Sequence, residues 1–270
     1  LDDTPDNAVS GDLAVSSSKE IDGSDLNTDI DITGQVEDAE TFAQTEDLDS
    51  GTVTVSDNEQ VSTATANAAA SSIVSGGTTA SISGAAVVSN LQSIAPDDDV
   101  RVEATTTVST IRAQAGNNFD GDMRDSTLTA TGNTQSSDAT GNDSDQEITL
   151  DAANITGEGD AATSRDSDTT PGNGVQLNAA GDAVIANVQR ADRRSTVTAT
   201  TSDNIIEGLS RNDTTNSTIE VDGNSQTASA TGARTGNALS LTSGATQSAA
   251  GVVASVQNGG STVAAAATGN

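Results

Sequence analysis

Apolar residues recur along this chain in pairs two positions apart, with small or amide side chains alternating behind them. The pairs are Leu13/Val15, Ile30/Ile32, Val53/Val55, Ala80/Ile82, Val100/Val102, Leu128/Ala130, Ile148/Leu150, Val175/Leu177, Val197/Ala199, Ile219/Val221, Leu239/Leu241 and Val263/Ala265. Successive pairs start 17 to 28 residues apart. Period-two alternation marks a strand with one buried face. Three copies align without gaps: VTVSDNEQVSTATAN from Val53, LTATGNTQSSDATGN from Leu128 and IEVDGNSQTASATGA from Ile219. In these copies Asn58, Asn133 and Asn224 share one position, and Gln60, Gln135 and Gln226 share another.

Each copy reads as strand, tight arc, strand, turn. Gly and Asn at the arcs tolerate the left-handed backbone of a sharp corner. One copy cannot bury its inner face alone, but stacked copies can. The pattern therefore predicts an all-β fold, a β-solenoid of about 10–12 strand-arc-strand coils of roughly 20–28 residues. At about 4.8 Å per coil, twelve coils make a rod of roughly 55–60 Å. The apolar anchors of its core are Val53, Val55, Val100, Val102, Ile148, Leu150, Val175, Leu177, Ile219, Val221, Leu239 and Leu241. Asn58, Gln60, Asn133, Gln135, Asn224 and Gln226 are expected to form amide ladders along the axis, because a buried amide is satisfied repeatedly only by its own kind. Residues 1–50 carry a heavier acidic load and form a separate N-terminal segment, either an arm or irregular coils; 51–270 form the repeat domain.

Composition changes the picture by what it removes. Of 270 residues, 40 are acidic and 10 basic, for a net charge of -30. Cys, Trp, Tyr and His are absent, and Phe42, Phe119 and Met123 are the only bulky residues beyond Ile, Leu and Val. A thick aromatic core is out of reach, so stability has to come from repetitive backbone pairing; the other outcome for such a composition is disorder. Thirty excess negative charges repel phosphate, which argues against nucleic acid as a partner. Without His or Cys, the usual general base and thiolate nucleophile are missing, and two Phe give sugars little to stack on; no enzyme activity is expected. No cofactor is expected, although Asp97, Asp98, Asp99, Asp120, Asp122, Asp143 and Asp145 could offer oxygen ligands for weak Ca2+ binding. Thr52, Thr54, Thr127, Thr129, Thr196 and Thr198 could form the flat array of an ice-binding surface, but Arg101, Glu103, Gln176 and Glu220 interrupt it.

The repeat resembles the curlin repeat. The likeness rests on Asn133, Gln135, Asn224 and Gln226, and on the Gly-Asn pairs at 132–133, 141–142, 223–224 and 236–237. The core aromatics of curlin repeats are absent, the glycine-rich arc is reduced and the copy length is irregular. The acidic, irregular version is similar to curlin-like anchor proteins that attach the holdfast adhesin of stalked bacteria. The resemblance implies secretion through a curli-type outer-membrane pore, a cell-surface address and a structural role.

The expectation is a secreted structural or adhesive subunit of an amyloid-like fibre or surface anchor, assembling end to end by β-strand addition. Its partner would be a second copy or a homologous subunit. The expected assembly end is Val263 and Ala265, since Ser261–Asn270 has a first strand and no second. The alternative is a monomeric β-solenoid stalk that binds extracellular polysaccharide or another surface partner.

Overall fold

The computed structural model describes residues 8–10, 13–21, 30–94, 99–116, 121–157, 161–166, 176–191 and 194–269. The described residues form strands and connecting turns, without helix, and most strand pairs are parallel and in register. The chain makes the same sequence of strands several times. The first set is β1 (Ala8–Ser10), β2 (Leu13–Ile21), β3 (Ile30–Glu37), β4 (Glu40–Thr45), β5 (Leu48–Asp49), β6 (Thr52–Ser56) and the long β7 (Glu59–Ser83). The second is β8 (Ala86–Ile94), β9 (Val100–Thr107), β10 (Thr110–Ala115), β11 (Met123–Arg124), β12 (Thr127–Thr131) and β13 (Thr134–Thr156). An antiparallel hairpin, β14 (Ala161–Asp166) and β15 (Gln176–Gly181), follows. The third set is β16 (Ala183–Ala191), β17 (Thr196–Ser210), β18 (Thr214–Thr215), β19 (Thr218–Asp222) and β20 (Ser225–Gln247), and β21 (Gly251–Gly259) and β22 (Thr262–Gly269) begin a fourth.

Equivalent strands of successive sets pair. One sheet runs β1-β7-β13-β20, another β2-β8-β16-β21, and β3, β9, β17 and β22 stack in the same manner. Here the structure corrects the predicted coil. Partners are not consecutive copies: Asn133 bonds to Asn58, 75 residues earlier, and to Asn224, 91 residues later. The repeat that stacks is thus three to four of the short copies long, and its sheets are four strands deep where they are deepest. Four strands span only about 15 Å at the usual spacing, against the longer rod expected from twelve coils. The physical reason is register. Short copies of irregular length cannot bring like residues together, whereas the longer unit aligns the three gap-free copies: Val53 pairs with Leu128, which pairs with Ile219.

The strands before residue 50 belong to the same sheets. β2, β3, β4 and β5 pair in register with β8, β9, β10 and β11. Leu177 is the anchor that leaves the pattern. It lies in β15, whose partner is the antiparallel β14, and it packs outside the parallel stack against Val184 and Ala186. Val175 lies outside the described residues.

The core is thin and lies between two runs of sheet. Ile73, Ile148 and Ile82 of β7 and β13 meet Val88 and Ile185 of β8 and β16. Further along, Ala64 and Ala139 meet Val102, Ala104, Val197 and Ala199 of β9 and β17. Val55 and Ala130 meet Ile111 and Ala113, and Leu48, Met123 and Leu128 fill the adjoining corner. Small residues let the sheets approach: a Cβ on Gly34 would sit 2.1 Å from the Thr63 carbonyl oxygen. Substituting Leu128, which is fully buried, tests this packing. Leu128→Ala should cost about 2–5 kcal/mol in chemical denaturation, and Ile219→Ala, in the same column but 43% exposed, clearly less.

Candidate functional site

The features that set this molecule apart are columns of like side chains running across the strands. Asn58 Nδ2 donates to Asn133 Oδ1 at 3.0 Å, and Asn133 Nδ2 to Asn224 Oδ1 at 3.0 Å. Gln226 Nε2 donates to Gln135 Oε1, and Gln135 Nε2 to Gln60 Oε1, both at 2.8 Å. The two ladders run in opposite directions. Asn133 and Gln135 are fully buried, and each amide also reaches a main-chain carbonyl: Val55 for Asn133, Ser109 for Gln135. All six amides singled out from the sequence are therefore brought together.

Further ladders escaped the sequence reading. Gln257 donates to Gln189 and Gln189 to Gln92, both at 2.8 Å, while Asn67 bonds to Asn142 and Asn90 to Asn187. Their signal was present as the shared Asn-x-Gln spacing of Asn90/Gln92 and Asn187/Gln189, but 97 residues separate those two copies. Where a ladder ends on a different residue, an amide oxygen is stranded. Asn90 stands opposite Ser17 of β2, and its Oδ1 is buried without a partner.

Left-handed corners form columns too. Asp38, Val108 and Asp203 are stacked, as are Ser50, Asp125 and Asn216, and then Asp57, Gly132 and Gly223, all with φ between 48° and 67°. At each corner the chain must turn without losing its strand-to-strand bonds. The corner N–H donates to a main-chain carbonyl of the next set: Ser50 to Arg124 at 2.9 Å, Asp125 to Thr215 at 3.0 Å, Asp57 to Thr131 at 3.1 Å and Gly132 to Asp222 at 3.2 Å. The N–H of the following residue donates to a side-chain oxygen instead. Gly51 reaches Ser126 Oγ, Ser126 reaches Ser217 Oγ, Asn58 reaches Asn133 Oδ1 and Asn133 reaches Asn224 Oδ1, all at 2.9–3.1 Å.

Stacking sets Arg234 opposite Asp143 and Arg112 opposite Glu207 on adjacent strands. Arg234 of β20 holds Asp143 of β13 through two bonds of 3.0 and 2.6 Å. That bond keeps the Asp143 carboxyl below its ordinary value and raises the Arg234 guanidinium. Arg112 lies over the Phe42 ring of β4 and pairs with Glu207 of β17. Arg124 bonds Asp122, and Asp49 and Asp213 add to the field that raises its guanidinium. Asp143 and Asp145 lie within the strand β13; Asp97, Asp98 and Asp120 lie outside the described residues. Among the described residues no group of three or more acidic side chains is arranged to hold a metal ion. Thr52, Thr127 and Thr218 do form a continuous column, but the next column ends on Glu220 and the Thr196 and Thr198 columns contain Arg101 and Glu103.

The remaining anchors take these places. Val100 pairs with Ile30, and Val102 with Ile32 and Val197; Ile148 and Leu150 pair with Leu239 and Leu241. Val263 and Ala265 pair with Val197 and Ala199 and close their column on the last strand. The core columns end unevenly. Ile219, Val221, Val253 and Val263 are 43–48% exposed, and all four are the last members of inward columns on β19, β21 and β22. At the opposite edge Val55 is buried and Val15, Ile32 and Val53 are half-buried.

Comparison with protein-family models, with curated proteins and with solved structures finds no match.

The ladder makes a sharp prediction. Gln135→Ala removes one donor and one acceptor from a dry column and leaves Gln60 Oε1 without its donor. It should cost about 2–4 kcal/mol in denaturant titration, whereas Thr134→Ala, one residue away and half-buried, should cost under about 1 kcal/mol.

Proposed function

We propose that this chain is a structural subunit whose in-register parallel strands wind as a β-solenoid and extend by strand addition at the edge formed by β19–β22. The observation that supports this most is the set of uncovered core columns at that edge, Ile219, Val221, Val253 and Val263. An apolar column ending in solvent is the surface that another strand of the same pattern would cover. Val263 and Ala265 lie on this edge, where β22 pairs with β17 and, among the described residues, with no other strand.

The role is that of a secreted fibre or surface-anchor component, assembling with a second copy or a homologous subunit. The Asn and Gln columns at fixed offsets support kinship with curlin repeats, with the cell-surface address and curli-type export which that resemblance implies. The chain works by presenting backbone and side-chain pattern rather than by catalysis. A net charge of -30 opposes lateral clumping, so growth along the stacking axis is favoured over bundling.

Negative-stain electron microscopy and sedimentation test this. The purified chain should form thin unbundled filaments. Val263→Asp should abolish them while leaving the circular dichroism spectrum unchanged, because Val263 is 45% exposed on a terminal strand. Uniform short particles at every concentration would overturn self-assembly and favour the polysaccharide-binding stalk.

A further inference from the structure

The left-handed corners give the stack a direction. In the first and second sets the N–H of the corner residue and the N–H of the next residue both point to the following set. In the third set the pattern runs out at β18–β20, with which no described strand of the fourth set pairs. Among the described residues nothing accepts the N–H groups of Asn216, Ser217 and Asn224, and Gly223 N–H turns instead to its neighbour's carboxylate, Asp222 Oδ1, at 2.8 Å. Gln226 Oε1 likewise lacks the Gln donor that Gln60 and Gln135 receive. Beside these groups stand the exposed ends of two core columns, Ile219 and Val221.

The opposite edge is different in kind. Where later sets carry a side-chain acceptor after the corner, the first set has Ala39 and Gly51, which carry none. Only Asn58 retains the acceptor there, and the Ser56 carbonyl beside it already receives Asn58 Nδ2 at 3.0 Å. The Gln92 column meets Lys19, which has no acceptor, and Lys19 Nζ is taken by the Ala68 carbonyl.

Resting on the assembly reading above, we infer that the β18–β20 edge is a receiving site that selects its strand by sequence. The occupant is a polypeptide segment of the same repeat class, running parallel, with Ser after one left-handed residue and Asn-x-Gln after the next. Residues 125–135 of this chain, with Asp125-Ser126 and then Gly132-Asn133-Thr134-Gln135, have that pattern and already dock in this manner against β18–β20 from the other side. An incoming Ser and Asn would accept the Ser217 and Asn224 N–H groups, and an incoming Gln would donate to Gln226 Oε1. Two apolar residues would cover Ile219 and Val221. The first set of a second copy offers this pattern only in part, through Asn58 and Gln60, because Gly51 has no side-chain acceptor for the Ser217 N–H.

The probe is a fluorescently labelled synthetic peptide of residues 123–152, titrated into the full chain and followed by anisotropy. Saturable binding is expected. A peptide with Asn133→Ala and Gln135→Ala should bind at least about tenfold more weakly, as loss of these hydrogen bonds requires, and Val221→Lys in the full chain should remove binding without unfolding it. Equal binding of the altered or a scrambled peptide would overturn sequence selection. Absence of peptide binding while filaments form would overturn this inference and leave the assembly reading standing. Absence of both would end both. Peptide binding without filaments would sustain the receiving site and count against homopolymerisation.

Discussion

The same-residue hydrogen bond between neighbouring strands is the constraint on which the rest of this structure depends. Parallel main-chain pairing by itself is indifferent to a shift of two residues, since inward faces stay inward. A buried Gln135 is not indifferent. Its donor and acceptor are both satisfied only when Gln60 lies on one side and Gln226 on the other. A slip by two places would break both bonds and take their ladder partners from the buried Gln60 and Gln135, at a cost of about 1–3 kcal/mol each. Asn133, two residues earlier, imposes the same condition from a ladder of opposite direction. Register is fixed by polar side chains, and the thin apolar core only has to agree with it.

That division of labour explains the composition. With Ala, Val, Ile and Ser facing inward, the two runs of sheet come close enough for Gly34 to lie against the Thr63 backbone. A large aromatic would force them apart, and Phe42 accordingly lies on the outside, half exposed beneath Arg112. The acidic surface follows a second rule. Among the described strand pairs no carboxylate stands directly opposite another: Asp143 and Glu207 face arginines on the adjacent strand, and Asp122 bonds Arg124 two residues along the chain. The excess negative charge remains to resist lateral association.

Much of the local design was legible in the sequence. Period-two alternation gave the strands, and the three gap-free copies identified the residues that pair: Val53, Leu128 and Ile219, with their Asn and Gln companions. The size of the stacking unit was not legible in the same way. Every short copy has an apolar pair, because every strand needs an inner face, so the pairs mark strands and not layers. Val100 and Val53 look alike in sequence yet stand in different columns. Only a residue that must find its own kind distinguishes one layer from the next, and the Asn90/Asn187 and Gln92/Gln189/Gln257 columns show that this cue extends beyond the copies that align without gaps. The corners could be read only in part. Gly132 and Gly223 are expected at positive φ, but Asp57 and Val108 carry the same conformation with side chains that give weaker warning or none.

The stack is also directional. Corner N–H groups donate to main-chain carbonyls of the next set and the N–H groups one residue on donate to its side-chain oxygens, so the molecule has a donor end and an acceptor end. All of this follows from pairing between residues 75 and 91 apart rather than between consecutive copies. Engineered disulfides test that directly, since the chain has no cysteine. Thr54→Cys with Thr129→Cys places two thiols on adjacent strands, roughly 4.8 Å apart at Cα and within disulfide reach. Mild oxidation of the dilute monomer should link them within one chain. Failure of that pair, with efficient linkage of Thr54→Cys to Ser81→Cys on the next short copy, would contradict the long in-register repeat.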